Sequence, residues 1–248
     1  MNIIIFTVES EYSYILLRDL INQKPKEIKG IFVSKPIKYK KLIKFIKRKV
    51  VSGLGVKYYL ARLIRGFKQN QTESTVRELA KKNEIPIYYT ADINAASCIF
   101  QVQNYKPDVI ISAYFDQIIK SGLLTIPTFG IINIHSSLLP KYRGVKPTFW
   151  VLRNNETVTG VTLHLVDNGL DTGDIIDQKE IPIYSTDSMD TLQKRIMVGG
   201  SQLLINCIDN IKNNSCVLKK QNDTEASYYS QPTKEDLKQF IRLGKKFW

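Results

Sequence analysis

The sequence predicts an α/β domain on a mainly parallel, twisted sheet, with a short C-terminal appendage. Three observations predict it. Short apolar runs of strand length alternate with amphipathic helical stretches, the pattern of repeated βαβ units. The first run, Asn2-Ile-Ile-Ile-Phe-Thr7, is apolar without alternation, as a strand buried on both faces would be. The final stretch is polar and tyrosine-containing and breaks the alternation. At 248 residues, 43% apolar and 24% charged, the chain can bury a sizeable core, and its composition excludes disordered and fibrous classes.

The elements follow in order. After the strand at 2–7, residues 13–22 read as a helix and 28–33 as a second strand, the opening of a βαβ unit. Thr75 with Glu78 makes a capping box for a helix to about Lys82. Residues 87–89 read as a strand, 94–104 as a helix, 107–112 as a strand led by Pro107, and 130–134 as another. Residues 158–166 and 175–183 read as two longer strands joined by a glycine-rich connection. Asp187 caps a helix carrying Leu192, Ile196, Leu203, Leu204, Cys207, Ile208 and Ile211 at helical spacing. No apolar run reaches the roughly 18 residues of a membrane span. The N-terminus lacks the basic and small-residue features of a signal peptide. Three cysteines, Cys98, Cys207 and Cys216, form no paired motif, which points to a reducing, cytoplasmic setting.

The net charge of +13 sits in one place. Twelve basic residues and no acidic one lie between Lys35 and Lys68, leaving the rest nearly neutral. A nucleic-acid binder spreads its charge over a face of the fold, so the distribution points away from a nucleic-acid partner. Leu42, Phe45, Ile46 and Val50, then Tyr59, Leu60, Leu63, Ile64 and Phe67, recur at helical spacing, with Gly53 and Gly55 between. Two readings stand: a basic amphipathic helical pair touching a membrane surface or phosphate through 35–68, or a solvated lysine face over a packed apolar stripe.

The first βα turn, Val8 to Ser13, has no glycine and carries Glu9 and Glu11, so it does not suit a dinucleotide pyrophosphate. The chemistry-bearing stretch is 131–176. Asn133 and His135 are two apart on one strand and therefore share a face, at the strand end where ligands sit in such sheets. Asp171 lies between Gly169 and Gly173, which permit close backbone approach. Asn, His and Asp together suit attack on a carbonyl. The amide donates to an oxyanion, the imidazole moves a proton or stabilises charge, and the carboxylate holds the imidazole and raises its proton affinity. Ser136 or Ser137 beside His135 makes a poor hydrolase, because no nucleophile elbow is present and adjacent strand residues point apart. A zinc site on His135 and His164 lacks the usual ligand spacing. His164 reads as a strand residue with a satisfied ring.

The stretch resembles the 10-formyltetrahydrofolate-dependent formyltransferases. The matching residues are Asn133-Ile-His135, Ser137-Leu-Leu-Pro140, Tyr142-Arg143-Gly144, Pro147, Gly160-Val-Thr162 and Leu170-Asp171-Thr-Gly173. The resemblance extends through 107–124, and in the tail to Ala226–Tyr229 and Pro232-Thr with Asp236; it covers 1–34 and 72–212. It implies a Rossmann-like catalytic domain over 1–212 with a basic helical insert at 35–71, and a tail at 213–248 forming a β-hairpin or dimer contact. It implies Asn133, His135 and Asp171 as the catalytic trio, with 10-formyltetrahydrofolate as co-substrate and no metal. In that mechanism a neutral amine attacks the formyl carbon, Asn133 and His135 stabilise the oxyanion by roughly 3–4 kcal/mol per donor, and Asp171 keeps His135 charged. Phe115, Asp116, Ile118 and Asp167 are the expected folate-side residues. Tyr142, Arg143, Lys146 and Trp150 are the expected substrate-side residues, although Arg143 more often braces this turn in the family.

Three amines come into view. The acidic first loop disfavours a glycinamide ribonucleotide phosphate. The stretch after Lys212 is short for a tRNA-binding domain, though a basic insert could substitute. The expected substrate is a nucleotide-linked amino sugar of the dTDP-4-amino-4,6-dideoxyhexose type, used for surface glycans such as an O-antigen, on a homodimeric enzyme. The alternatives are a methionyl-tRNA or other small-amine formyltransferase and, outside enzymes, a peripheral membrane module using the insert.

Overall fold

The computed structural model describes residues 1–35 and 75–248. The basic helical pair expected within 35–71 lies, apart from Lys35, outside the described residues. Five parallel strands come first in space: β3 (Ile87–Thr90), β2 (Ile28–Ser34), β1 (Ile3–Thr7), β4 (Val109–Ala113) and β5 (Gly130–His135). Two more complete the sheet, β7 (Val158–Leu165) antiparallel to β5 and β8 (Ile175–Pro182) antiparallel to β7. Helices α1 (Glu11–Gln23), α2 (Val76–Lys82), α3 (Ala96–Asn104), α4 (Ser121–Leu124), α5 (Pro147–Arg153), α6 (Met189–Lys212) and α7 (Lys234–Arg242) flank it.

Alternation along β1 shows why the sheet is covered on both faces. Ile3 and Ile5 pack with Leu16, Leu17 and Leu20 of α1 and Leu204 and Ile208 of α6. Ile4 and Phe6 pack on the other face with Phe32, Val102 of α3 and Leu123 of α4. All five β1 side chains are fully buried, as a parallel strand between two layers requires.

Caps set the helix starts. Ser10 accepts from Ser13 N, so α1 begins two residues earlier than the apolar pattern alone indicates. The cap of α6 is Ser188 rather than Asp187: Ser188 and Thr191 form the reciprocal pair. Asp187 instead accepts from Tyr184 N and pairs with Arg195, both carboxylate oxygens being used.

The tail does not form a hairpin. Tyr228–Tyr229 (β9) pairs in parallel with Arg143–Gly144 (β6), Arg143 N donating to Ser227 O at 2.8 Å and Val145 N to Tyr229 O at 2.9 Å. Lys219 bridges Ile175 at the start of β8. Helix α7 lays Phe240 on Phe149 of α5, with ring centroids 4.7 Å apart. Pairing within the chain uses the backbone that a hairpin would have paired with itself. Among the described residues no helix is long and apolar enough to cross a membrane.

Candidate active site

The site is built at the carboxyl end of β5, where β7 runs beside it. The antiparallel register sets Asn133 directly opposite His164 and His135 opposite Thr162. Thr162, fully buried, donates to Ser137 O at 2.7 Å and accepts from Leu139 N at 3.1 Å, so it fixes the chain as it leaves β5. Ser136 accepts from Gln193, and Ser137 donates to Lys141 O. Both hydroxyls thus serve structural hydrogen bonds, which speaks against the hydrolase reading.

Each ring has a determined orientation. His164 Nδ1 is 2.8 Å from Leu165 O, and a carbonyl only accepts, so Nδ1 carries the hydrogen. Its Nε2 then accepts from Asn133 Nδ2 at 3.1 Å, which aims the amide and leaves the second Nδ2 hydrogen for a ligand. His135 Nε2 lies 2.8 Å from Tyr142 O and by the same argument donates there. His135 Nδ1 faces Asp171 Oδ2 at 3.6 Å. Asp171 Oδ1 stands 3.6 Å from His164 Nε2, and its Oδ2 accepts from Gly144 N at 2.8 Å. The carboxylate therefore sits between two imidazoles, with both rings and itself largely withdrawn from solvent.

Burial governs the electrostatics. It pushes the proton affinity of His135 down more than the neighbouring Asp171 pulls it up, so the ring titrates below the ordinary histidine range. The sequence leads one to expect a charged His135; desolvation outweighs the carboxylate and gives a neutral one. Burial pushes Asp171 up, but the facing His164 and His135 rings, when they carry a second proton, and the Gly144 N–H together overcome it and bring the carboxyl down to about 2. Asp171 is thus ionised, and a proton arriving at His135 Nδ1 meets its charge.

The structure gathers Asn133, His135 and Asp171, and adds His164. Sequence alone points to His164 as a satisfied strand residue. It is satisfied at Nδ1, but its Nε2 orients the Asn133 amide; only the β5–β7 register reveals that.

The flanking expectations divide. Phe115 packs into the core with its ring tilted against Phe6 at 5.7 Å, whereas Asp116 is exposed and Ile118 is 79% exposed. The loop holding them is pinned by Gln117, which accepts from Ile93 N, and by Asn94, which donates to Ile118 O. Asp167 is exposed and accepts from Gly169 N and Thr172 Oγ1, closing the loop that carries Asp171.

On the substrate side three of the expected side chains are engaged within the chain. Tyr142 turns its ring away from the site, donates to Glu156 and stacks on Tyr229 at 5.0 Å; its carbonyl, not its side chain, serves the site. Arg143, 8% exposed, is spent on Gln221 and Asp223. Trp150, 6% exposed, donates to Ser230 O and packs on Tyr229. Helix α5 and the tail draw all three side chains inward. Lys146, the N-cap of α5 with φ of 58°, stays beside Gly144.

Residues 62–208, more than half of the chain, match the formyl transferase family. The match begins inside the segment read as an insert. A methionyl-tRNA formyltransferase of Alkaliphilus oremlandii is 37% identical over 184 residues, 74% of this chain and 56% of that one. One from Clostridium perfringens is 39% identical over 163 residues, 65% of this chain and 53% of that one. The chain spans about half the length of the curated relatives it matches. Among solved structures, an N-formyltransferase of Helicobacter canadensis in complex with folinic acid and dTDP-3-aminofucose superposes with a TM-score of 0.64 at 26% identity. That alignment covers 93% of this chain and 71% of the other. A sugar 3N-formyl transferase with dTDP and 5-N-formyl-tetrahydrofolate gives a TM-score of 0.62, also at 26% identity, over 93% and 70%.

Proposed function

This chain belongs to the formyl transferase family, and we propose that it carries a formyl group from 10-formyltetrahydrofolate to the primary amine of a nucleotide-linked amino sugar. The observation that supports formyl transfer is the buried cluster of Asn133, His135, His164 and Asp171 at the end of β5. The uncharged amine adds to the formyl carbon, breaking the carbonyl π-bond. The oxygen becomes an oxyanion and accepts from the second Nδ2 hydrogen of Asn133. Buried neutral His135 takes the ammonium proton at Nδ1, and the Asp171 carboxylate stabilises the imidazolium so formed. Collapse of the intermediate re-forms the carbonyl and expels the folate nitrogen, which takes up the proton from His135 and leaves as a neutral amine. The pinned loop with exposed Asp116 and Ile118, beyond β4, is the proposed folate side; the proposed substrate-side cation is Lys146.

Support for a sugar comes from the two solved N-formyltransferases, whose alignments reach 93% of this chain. A tRNA substrate is the second reading, favoured by the higher identity, 37–39%, of the methionyl-tRNA enzymes. Thermal unfolding separates the two, using 5-formyltetrahydrofolate, dTDP, UDP, GDP and initiator tRNA. A ligand at 100 times its Kd adds about 2.7 kcal/mol. Stabilisation by the folate and one nucleoside diphosphate is the expected result. Stabilisation by the folate and tRNA alone replaces the sugar with tRNA. No response to the folate overturns formyl transfer from this donor.

A further inference from the structure

We propose that Gln221, in the tail, is a positioning residue for Asp171: by fixing the aspartate's main chain it fixes the aim of its carboxylate at His135. The inference rests on the reading of Asp171 as part of the reacting site.

Asp171 is an L-residue with φ of 56°, in the left-handed region, which persists only where neighbours hold it. Gln221 supplies that hold. Its Nε2 donates to Asp171 O at 2.9 Å and to Gly173 O at 2.7 Å, tying the residue's own carbonyl to the one two residues on. Its Oε1 accepts from Arg143 Nε at 3.1 Å and Arg143 Nη2 at 2.8 Å. The amide thereby uses both donors and both acceptor sites. Arg143 is steadied in turn by Asp223, 2.8 Å from Nη2. The residue after Arg143, Gly144, donates its N–H to the Asp171 carboxylate. One short segment therefore grips Asp171 twice, at the carboxylate directly and at the main chain through Gln221. The hydrogen bonds of Gln221 go to Arg143, Asp171 and Gly173 and to none of the other three site side chains, so its removal acts on Asp171 selectively.

The chain's two histidines both face Asp171, so imidazole nitrogen NMR reports on this site alone. The variants are Gln221→Ala and Gln221→Glu. The second keeps the side-chain bulk and the acceptors for Arg143, preserving the fold, and loses the donors to the two carbonyls. Both are expected to shift the His135 and His164 nitrogen signals toward their positions in Asp171→Asn, at one fixed pH and without ligand. With 10-formyltetrahydrofolate and dTDP-4-amino-4,6-dideoxyglucose, kcat is expected to fall by about 10²-fold with little change in KM, the size of effect a misplaced catalytic group produces. In an Asp171→Asn background, Gln221→Ala adds no further loss. Wild-type nitrogen signals and kcat in both variants overturn the proposal, as does a full additive loss in the double variant. If Asp171→Asn itself leaves kcat unchanged, the site reading fails, while the nitrogen signals still decide whether Gln221 positions Asp171.

Discussion

Three of the four site side chains stand on strands and the fourth stands on a loop, and the two groups are held by different means. Asn133, His135 and His164 take their places from the β5–β7 ladder, whose hydrogen bonds and buried neighbours extend well beyond the site. Asp171 has no ladder. It sits in a turn between Asp167 and Gly173 and depends on point contacts, with Gly144 at its carboxylate and Gln221 at its main chain. A ladder spreads positional control over many bonds, so no single change dislodges a strand-borne group. A loop-borne group is only as well placed as its few anchors.

That contrast can be broken first at the strand. His135→Ala should lower kcat by about 10³-fold in single-turnover assays, within the range for a lost proton-transfer group. Its thermal midpoint should change little, because the ladder remains. A collapse of the fold would mean that the ring, not the ladder, holds β5 in place.

The loop should respond in the opposite way. A Cβ at Gly173 would collide with the Leu165 carbonyl, so Gly173→Ala must move the turn. A stability loss of about 3 kcal/mol in urea unfolding, together with a loss of activity, is expected. Full activity in this variant would show that Asp171 needs no fixed turn.

Protonation sharpens the comparison. With Asp171 brought from its ordinary 3.8 to about 2, the folded state binds that proton less readily than the unfolded one. The resulting stability, about 2 kcal/mol, is present above the ordinary value and lost as pH falls through about 2. Asp171→Asn should flatten this part of an acid titration followed by circular dichroism. In kinetics, the acid limb of kcat/KM should fall below the ordinary histidine range, since burial lowers His135. Asp171→Asn should move that limb lower still, because removing the negative charge removes the one strong pull upward. A limb that moves to higher pH contradicts the assignment of the titrating group to His135.

The smallest effect belongs to the residues drawn inward. Trp150→Phe loses one hydrogen bond to Ser230 O and keeps the ring packing, so about 1 kcal/mol of stability is expected to go while kcat stays unchanged. A large rise in KM would return Trp150 to the substrate side.

What the sequence disclosed follows the same division. Strands β1, β2, β4 and β5 were legible as apolar runs, and the i, i+2 spacing of Asn133 and His135 placed both on one face. The role of His164 was not legible, because facing Asn133 depends on a register set across 31 residues. Gln221 was illegible for the same reason at greater range: nothing in its neighbours Lys220 and Asn222 connects it to Asp171. The directions of the Tyr142 and Trp150 side chains were hidden in another way. Sequence placed them near the site, but the direction of each side chain was decided by Tyr229, which lies in the tail.

The pairing of β6 with β9 has a temporal consequence for a chain made from its N-terminus. Every member of the reacting cluster leaves the ribosome before its last anchor does: Gln221 follows Asp171 by 50 residues, roughly 3–10 s of translation. In that interval the growing sheet can assemble around Asn133, His135 and His164 while the Asp171 turn has no partner in the tail. Ribosome-arrested chains ending before the tail would therefore be folded and idle, and activity would arrive with the tail's release.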